Sequence, residues 1–303
     1  MSAPLLLFPG GHPPLAPGLC AALGVEPGRL ELRAFPDGET YLRLLDDPRG
    51  REVVVVCDLS RPDPKLVPLL FLCDAARELG ASRVGLVLPY LPYMRQDTRF
   101  HPGEAVTSAS LGRLLSRAAD WLITVDPHLH RHASLDEVLA IPSRVVPAAP
   151  AIATWVKSQV PRPLLVGPDE ESAQWVSAVA AQAGAPHAVL RKVRSGDREV
   201  RLTLPDLSGW HDRTPVLVDD IVSTARTMAV AVARLREAGL PAPVCVGVHA
   251  LFCGDALAAL QAAGPARVVT CDTVPHPTNA ISLAAPLAAA VRELLGGGGV
   301  TRT

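Results

Sequence analysis

Short apolar runs that stop on polar residues, each followed by apolar residues at helical spacing, recur along most of this chain. Glu52-Val53-Val54-Val55-Val56-Cys57-Asp58 is one; Val84-Gly85-Leu86-Val87-Leu88-Pro89 and Trp121-Leu122-Ile123-Thr124-Val125-Asp126 follow. A short aliphatic run without alternation is the signature of a strand buried on both faces, as in a parallel sheet. Between these runs, 65–80 and 107–119 carry helical periodicity. Gly80 stops the first helix, and Thr107 or Ser108 offers an N-cap to the second.

The plan then repeats. Strands are predicted over 163–167, 187–193 and 199–204, with a helix over 171–183. A further strand over 215–219 leads into a helix over 227–238 that Gly239 closes. Strands over 244–249 and 267–271 enclose another helix, and a last helix covers 283–295 before a Gly-rich tail at 296–303. Alternating strand and helix predicts an α/β fold with parallel sheets covered by helices and right-handed crossovers. At roughly 150 residues per domain, 303 residues suggest two domains. Pro147-Ala148-Ala149-Pro150 is the best linker, dividing the chain into 1–147 and 148–295 with 296–303 as a flexible tail.

Composition excludes several function classes. A net charge of −1 argues against a basic nucleic-acid face while leaving room for a local anion site. The six Cys are scattered without a Cys-x-x-Cys pair, as buried thiols of a reducing compartment would be, so the cytoplasm is expected. The opening residues hold an apolar run of only Leu5 to Phe8 and no basic start, so neither a leader nor a membrane span is expected. Three Lys (65, 157 and 192) stand against 26 Arg, so each Lys asks for an explanation.

In open α/β sheets ligands bind beyond the carboxyl ends of the strands, so the polar residues there are the candidates. Asp219-Asp220 ends one strand and leads through Ser223, Thr224, Ala225 and Arg226 to Thr227. Amides and hydroxyls at a helix start make an anion cradle, and two carboxylates before it suit sugar hydroxyls or a hydrated Mg²⁺. The plain alternative is a capped helix with solvated acids. Asp126-Pro127-His128 continues to His130 and His132, which at period two share a face of an extended segment; one functional His with two surface ones fits equally well. Lys192 and Arg194, two apart on a strand, share a face and could clamp a phosphoryl group, or simply decorate an exposed basic turn. Arg95-Gln96-Asp97 follows another strand end. Phe35-Pro36-Asp37-Gly38-Glu39 reads as a turn between two strand-like runs.

Taken in order, these pieces resemble ribose-phosphate diphosphokinase, the PRPP synthetase family, and its archaeal-type members most closely. The resemblance runs from about Phe8 to Leu295. Phe35 to Glu39 looks like the family's adenine-binding turn. Pro89-Tyr90-Leu91-Pro92-Tyr93-Met94-Arg95-Gln96-Asp97 looks like its ATP-contacting segment, and Asp126-Pro127-His128 and Gly167-Pro168-Asp169 look like its two metal-associated sites. Arg191-Lys192-Val193-Arg194 is similar to its catalytic Lys-x-Arg pair, and the segment from Val218 to Thr227 to its PRPP fingerprint. His249-Ala250-Leu251-Phe252 and 270–275 complete the succession.

The resemblance implies two phosphoribosyltransferase-like domains, each a mostly parallel sheet flanked by helices. It implies transfer of the diphosphoryl group of Mg-ATP to the C1 hydroxyl of ribose 5-phosphate, giving AMP and 5-phosphoribosyl diphosphate. His128 and Asp169 would serve Mg²⁺, and Lys192 and Arg194 the migrating group. Asp219 and Asp220 would face the ribose, and Ser223 to Thr227 would cradle its phosphate. Phe35, Asp37, Glu39, Arg95, Gln96 and Asp97 would hold ATP. A homo-oligomer is implied, because the Phe35 turn often serves a neighbouring subunit. Where the family's phosphate loop has Gly-Gly, this chain has Ala225-Arg226. That departure motivates an alternative, a non-catalytic nucleotide-binding homologue of the same family. A PRPP-consuming phosphoribosyltransferase and a metal-dependent hydrolase built on the His cluster are more distant options.

Overall fold

The computed structural model describes residues 3–129, 131–195 and 199–296. These divide into two compact units, one made of residues up to Val146 together with those from Leu283 on, the other of Pro147–Ser282.

In the first unit, β1 (Leu5–Leu7) leads to α1 (Ala16–Leu23) and then to a hairpin of β2 (Leu30–Ala34) and β3 (Thr40–Leu44). The chain continues as β4 (Glu52–Val56), α2 (Asp63–Glu78), β5 (Arg83–Val87), α3 (Thr107–Ala118), β6 (Trp121–Val125) and β7 (Ser143–Val146). The sheet is parallel throughout, in the order β1-β4-β5-β6-β7. Its aliphatic strands are buried on both faces, as the unbroken runs predicted. One face packs Leu5, Val53, Val55, Val84 and Leu86 against Leu69, Leu72, Cys73, Leu111 and Leu115 of α2 and α3. Gly85 lies under the fully buried Trp121, and a Cβ there would fall inside the indole ring. The glycine in an otherwise branched strand is therefore the space the tryptophan needs.

The second unit begins with α4 (Ala149–Gln159) and β8 (Pro163–Gly167), then α5 (Ala173–Ala183) and β9 (His187–Val189). A two-stranded antiparallel hairpin of β10 (Arg191–Ser195) and β11 (Glu199–Thr203) follows. The chain returns as β12 (Thr214–Val222), α6 (Arg226–Glu237), β13 (Val244–Ala250), α7 (Ala256–Ala262), β14 (Arg267–Cys271) and β15 (Asn279–Ile281), and ends in α8 (Ala284–Gly296). The sheet order is β15-β14-β13-β12-β8-β9, every pair parallel.

Three expectations are corrected. The strand read over 187–193 is two strands: β9 pairs with β8, and after the fully buried Leu190 the chain leaves the main sheet to pair with β11. A change of partner leaves the local pattern untouched, so periodicity cannot show it. Pro147-Ala148-Ala149-Pro150 is only in part a connection, because α4 starts at Ala149 with Pro150 in its first turn, where the fixed φ of proline suits a helix. The last helix, expected with the second half, belongs to the first unit. It packs on α1 and against β6 and β7. Arg292 donates to the Ala22 carbonyl, and Arg144 and Glu293 pair at 2.8 Å.

Gly85→Ala forces the Trp121 ring to move within a filled core. It is expected to cost about 1–3 kcal/mol of stability, the usual penalty of overpacking, measured by denaturant unfolding. An unchanged midpoint would mean that the ring yields freely.

Candidate active site

Strand order in the second unit reverses between β8 and β12: the chain runs from β8 to β9 on one side and from β12 through β13, β14 and β15 on the other. Such a switch point opens a crevice at the carboxyl ends of the two strands. β12 pairs with β8 only as far as Leu217↔Val166, while its pairing with β13 runs on to Val222↔Ala250. Asp219 and Asp220 thus stand just beyond the point where β8 turns away toward Asp169.

The acids there are held by short local bonds. The Asp169 side chain accepts from the Ser172 amide at 3.3 Å, and the Ser172 hydroxyl donates to the Asp169 carbonyl at 2.6 Å, which shapes the turn into α5. Asp220 accepts from the Ile221 amide at 2.7 Å, and Asp219 from the Asp220 amide at 3.1 Å. The Asp219 carboxyl is pushed well above the ordinary carboxylate value, first by burial, then by the negative charges of Asp220 and Asp169. The three acids are therefore electrostatic neighbours.

After β12 the chain turns sharply into α6. Ala225 takes up the left-handed conformation, φ +56°, that a glycine would adopt at less cost. The turn is backed by the 251–253 segment: Phe252 and Cys253 donate to the Val222 and Ser223 carbonyls, each at 2.9 Å. Phe252 in turn stacks on His276, with ring centroids 4.6 Å apart. This places the start of a twelve-residue helix, with its unpaired amides and positive dipole end, after the acidic strand end. Thr224 and Arg226 are exposed, and Arg226 has no side-chain partner among the described residues. Lys192 and Arg194 fall on β10, in register with Leu202 and Val200 of β11; their side chains lie outside the described residues. The neighbouring Arg191 forms an exposed pair with Glu170 at 3.7 Å.

The first unit carries the other candidates. The β2–β3 turn is closed by Phe35 and Glu39, with Asp37 accepting from the Glu39 amide at 3.1 Å. Phe35, 39% exposed, meets Tyr41 edge-on, and the Arg33 guanidinium lies 4.9 Å and 4.1 Å from their ring centres. Beyond β5, Gln96 is pinned to the head of α3: its side-chain carbonyl accepts from the Thr107 hydroxyl and its backbone carbonyl from the Ser108 amide, both at 3.3 Å. Arg95 is exposed and has no side-chain partner among the described residues. Asp97 is turned inward onto Arg131 at 2.8 Å. Past β6, Asp126 sits at φ +32° and His128 is half-buried. Of the other two histidines, His132 pairs with Glu137 at 2.9 Å, and His130 lies outside the described residues.

Two features escaped the sequence reading. Lys65 is a strut: it bonds Asp58 at 2.8 Å, and Asp58 also accepts from the amide and hydroxyl of Ser60, tying the end of β4 to the head of α2. The acid at the end of a strand was the available signal. Arg131, which pairs with Asp97, had none, because its partner is 34 residues away.

Residues 5–118 match the family described as the N-terminal domain of ribose phosphate pyrophosphokinase, and residues 134–285 match the phosphoribosyl transferase domain. The ribose-phosphate pyrophosphokinase of Methanopyrus kandleri is 37% identical over 92% of this chain and 95% of its own length. That of Halobacterium salinarum is 32% identical over 95% of this chain and 100% of its own. This chain belongs to the ribose-phosphate pyrophosphokinase family. The crystal structure of phosphoribosylpyrophosphate synthetase from Mycobacterium smegmatis superposes with a TM-score of 0.85, covering 98% of this chain and 100% of that one at 25% identity. The pyrophosphokinase fold is an N-terminal α/β domain followed by a phosphoribosyltransferase-type domain; the alternation of strands and helices predicted the α/β class, and the resemblance implied the phosphoribosyltransferase-like domains. As for a metal, no three His, Cys, Asp or Glu side chains among the described residues form a ready-made cage. Asp169, Asp219 and Asp220 nevertheless supply hard oxygen donors whose mutual repulsion a divalent cation would relieve. Mg²⁺ in particular binds through one or two carboxylates, water and substrate phosphates, so the donor set fits it.

In the unfolded chain Asp219 has the ordinary value near 3.8, and in the fold it is raised. Between the two values the folded protein keeps a proton that the unfolded chain has lost, so stability falls as pH rises through that window. Asp219→Asn abolishes this ionisation. The ligand-free variant is expected to melt higher than the parent at neutral pH, with the gap closing as pH falls toward 3.8. Parallel melting curves across pH check this, and a lower melting temperature at neutral pH would contradict it.

Proposed function

We propose that this pyrophosphokinase-family chain transfers the β,γ-diphosphoryl group of Mg-ATP to the C1 hydroxyl of ribose 5-phosphate, releasing AMP and 5-phosphoribosyl diphosphate. The observation that carries the reading is the switch point, where two acids in β12, just past its pairing with β8, precede a sharply turned helix start. Carboxylates suit the hydroxyls of a sugar, and the helix start suits its phosphate. One ligand with a polyol at one end and a dianion at the other matches that sequence of groups.

The sugar hydroxyl attacks the β-phosphorus as the bond to the α–β bridging oxygen breaks. The protein's task in such a transfer is positioning and charge neutralisation. Asp219 and Asp220 orient the ribose hydroxyls. Ser223, Thr224 and the amides from Ala225 to Thr227 receive the 5-phosphate, with the Arg226 guanidinium as an added cation. Arg95 and Gln96 hold the nucleotide, Phe35 packs on the base, and Asp37 and Glu39 shape the Phe35 turn. His128 and Asp169 serve Mg²⁺, which supplies positive charge to the polyphosphate when bound. Lys192 and Arg194 neutralise charge on the migrating group. The Phe35 turn serves a neighbouring copy in a homo-oligomer. Six cysteines, five of them buried, suit a cytoplasmic setting. Among the described residues no helix is long and apolar enough to cross a membrane.

A non-catalytic homologue is the second reading, motivated by the missing Gly-Gly. Against it, Ala225 takes up a left-handed φ of +56°, a conformation that a glycine also adopts, so an alanine at this position does not preclude a sharp turn into α6.

Purified protein is expected to form AMP only when ATP, ribose 5-phosphate and Mg²⁺ are all present; release of ADP, or no AMP, would sink the assignment. Lys192→Ala is expected to lower turnover by about 10²–10³, the scale of losing a preorganised charge, with Mg-ATP binding kept. A wild-type rate would remove Lys192 from the mechanism. Arg226→Gly should shift the KM for the sugar phosphate and leave that for ATP nearly constant, whereas equal shifts in both would argue against a phosphate role for Arg226.

A further inference from the structure

The nucleotide segment 95–97 and the His128 loop leave the sheet from neighbouring strands, β5 and β6, and nothing in the strand pairing sets how the two loops sit together. The Arg131 side chain joins them. Arg131, three residues past His128, reaches the Asp97 carboxylate at 2.8 Å and lies over the Phe100 ring at 5.3 Å from its centre. Asp97 is 2% exposed at its side chain, against 54% for Arg131, so the carboxylate is spent inward while the guanidinium keeps one side toward solvent. The stretch beyond is closed separately, because Glu104 accepts from the Phe100 and His101 amides at 2.8 Å and 3.1 Å and its carbonyl accepts from Arg99 at 3.0 Å. Gln96 is pinned to α3 on the other side. The Asp97–Arg131 pair is thus a joint between a braced nucleotide segment and the loop that carries His128.

We propose that Arg131 is a positioning residue that sets affinity for the nucleoside triphosphate by holding Arg95 and Gln96 in register with His128, and that Asp97 acts through this pair rather than by touching the nucleotide. The inference rests on the reading of 95–97 as the ATP segment. Removing the guanidinium leaves a buried carboxylate unpaired, and relief by rotation of Asp97 toward water would drag Gln96 and Arg95 with it. The sugar-phosphate loop belongs to the other unit.

The test uses the full chain as wild type, Arg131→Ala, Arg131→Lys, Asp97→Asn and the double variant Arg131→Ala/Asp97→Asn. It combines steady-state AMP formation, varying each substrate in turn, with calorimetric titration of Mg-ATP alone. Arg131→Ala is expected to raise the KM and Kd for ATP about tenfold or more, as misplaced binding groups do, with the KM for ribose 5-phosphate unchanged within about twofold. Arg131→Lys should recover part of the loss, since charge returns without the planar fork. The double variant should be no worse than Arg131→Ala, because neutralising Asp97 removes the unpaired charge. Additive losses in the double variant, or a fall in turnover and melting temperature with ATP affinity unchanged, would overturn the inference. If Arg131→Ala does not fold, Asp97→Asn and Arg131→Lys carry the same test. Wild-type protein that binds Mg-ATP without forming AMP overturns the reaction alone, and the calorimetric comparison then decides the role of Arg131. Wild-type protein that does not bind Mg-ATP overturns both.

Discussion

Parallel pairing of short strands buried on both faces dictates the rest of this molecule. A parallel neighbour needs a crossover over a sheet face, so helices cover both sides and the strand interiors are predominantly apolar. Polar residues are driven to the strand ends, where all carboxyl termini of one sheet share an edge. Both units obey this. Asp58, Asp126 and Asp169 lie beyond strand ends and the Asp219–Asp220 pair lies in the last third of β12, past its pairing with β8, while the strand interiors are mostly aliphatic. Chemistry is confined to two edges before any residue is chosen for it.

What distinguishes the edges is topology. The first unit's sheet adds strands in one direction, from β1 through β4, β5 and β6 to β7. The second unit's reverses between β8 and β12, and its three neighbouring acids gather there. Burial first, and repulsion from Asp220 and Asp169 second, raise Asp219 and cost stability at neutral pH. The left-handed Ala225 is a second local cost in the same segment. Cost concentrated beside a polar crevice marks the segment as a candidate binding site.

Much of the candidate site could be read from residue order. Arg95-Gln96, Asp126-Pro127-His128, Gly167-Pro168-Asp169 and 218–227 announce themselves because each is a compact local motif at a strand end, and strand ends are visible as the places where apolar runs stop. The role of Asp97 was not legible. Its side chain is spoken for by Arg131, 34 residues on, and no periodicity links the two. Lys65 raised a question by its rarity, and only Asp58 and Ser60 answered it.

By itself the order of residues determined the elements that hydrophobic pattern encodes: buried strands, amphipathic helices, the Phe35–Glu39 turn and the motifs at their ends. Burial pattern is a property of neighbouring residues, so it survives reading one residue at a time. Tertiary structure alone decided that β9 and β10 are separate strands with different partners, and that α8 crosses back to complete the first unit. It alone decided that Asp97 faces a cation rather than solvent. Each of these is a choice among partners distant along the chain with similar local patterns, and the packing of whole surfaces makes that choice.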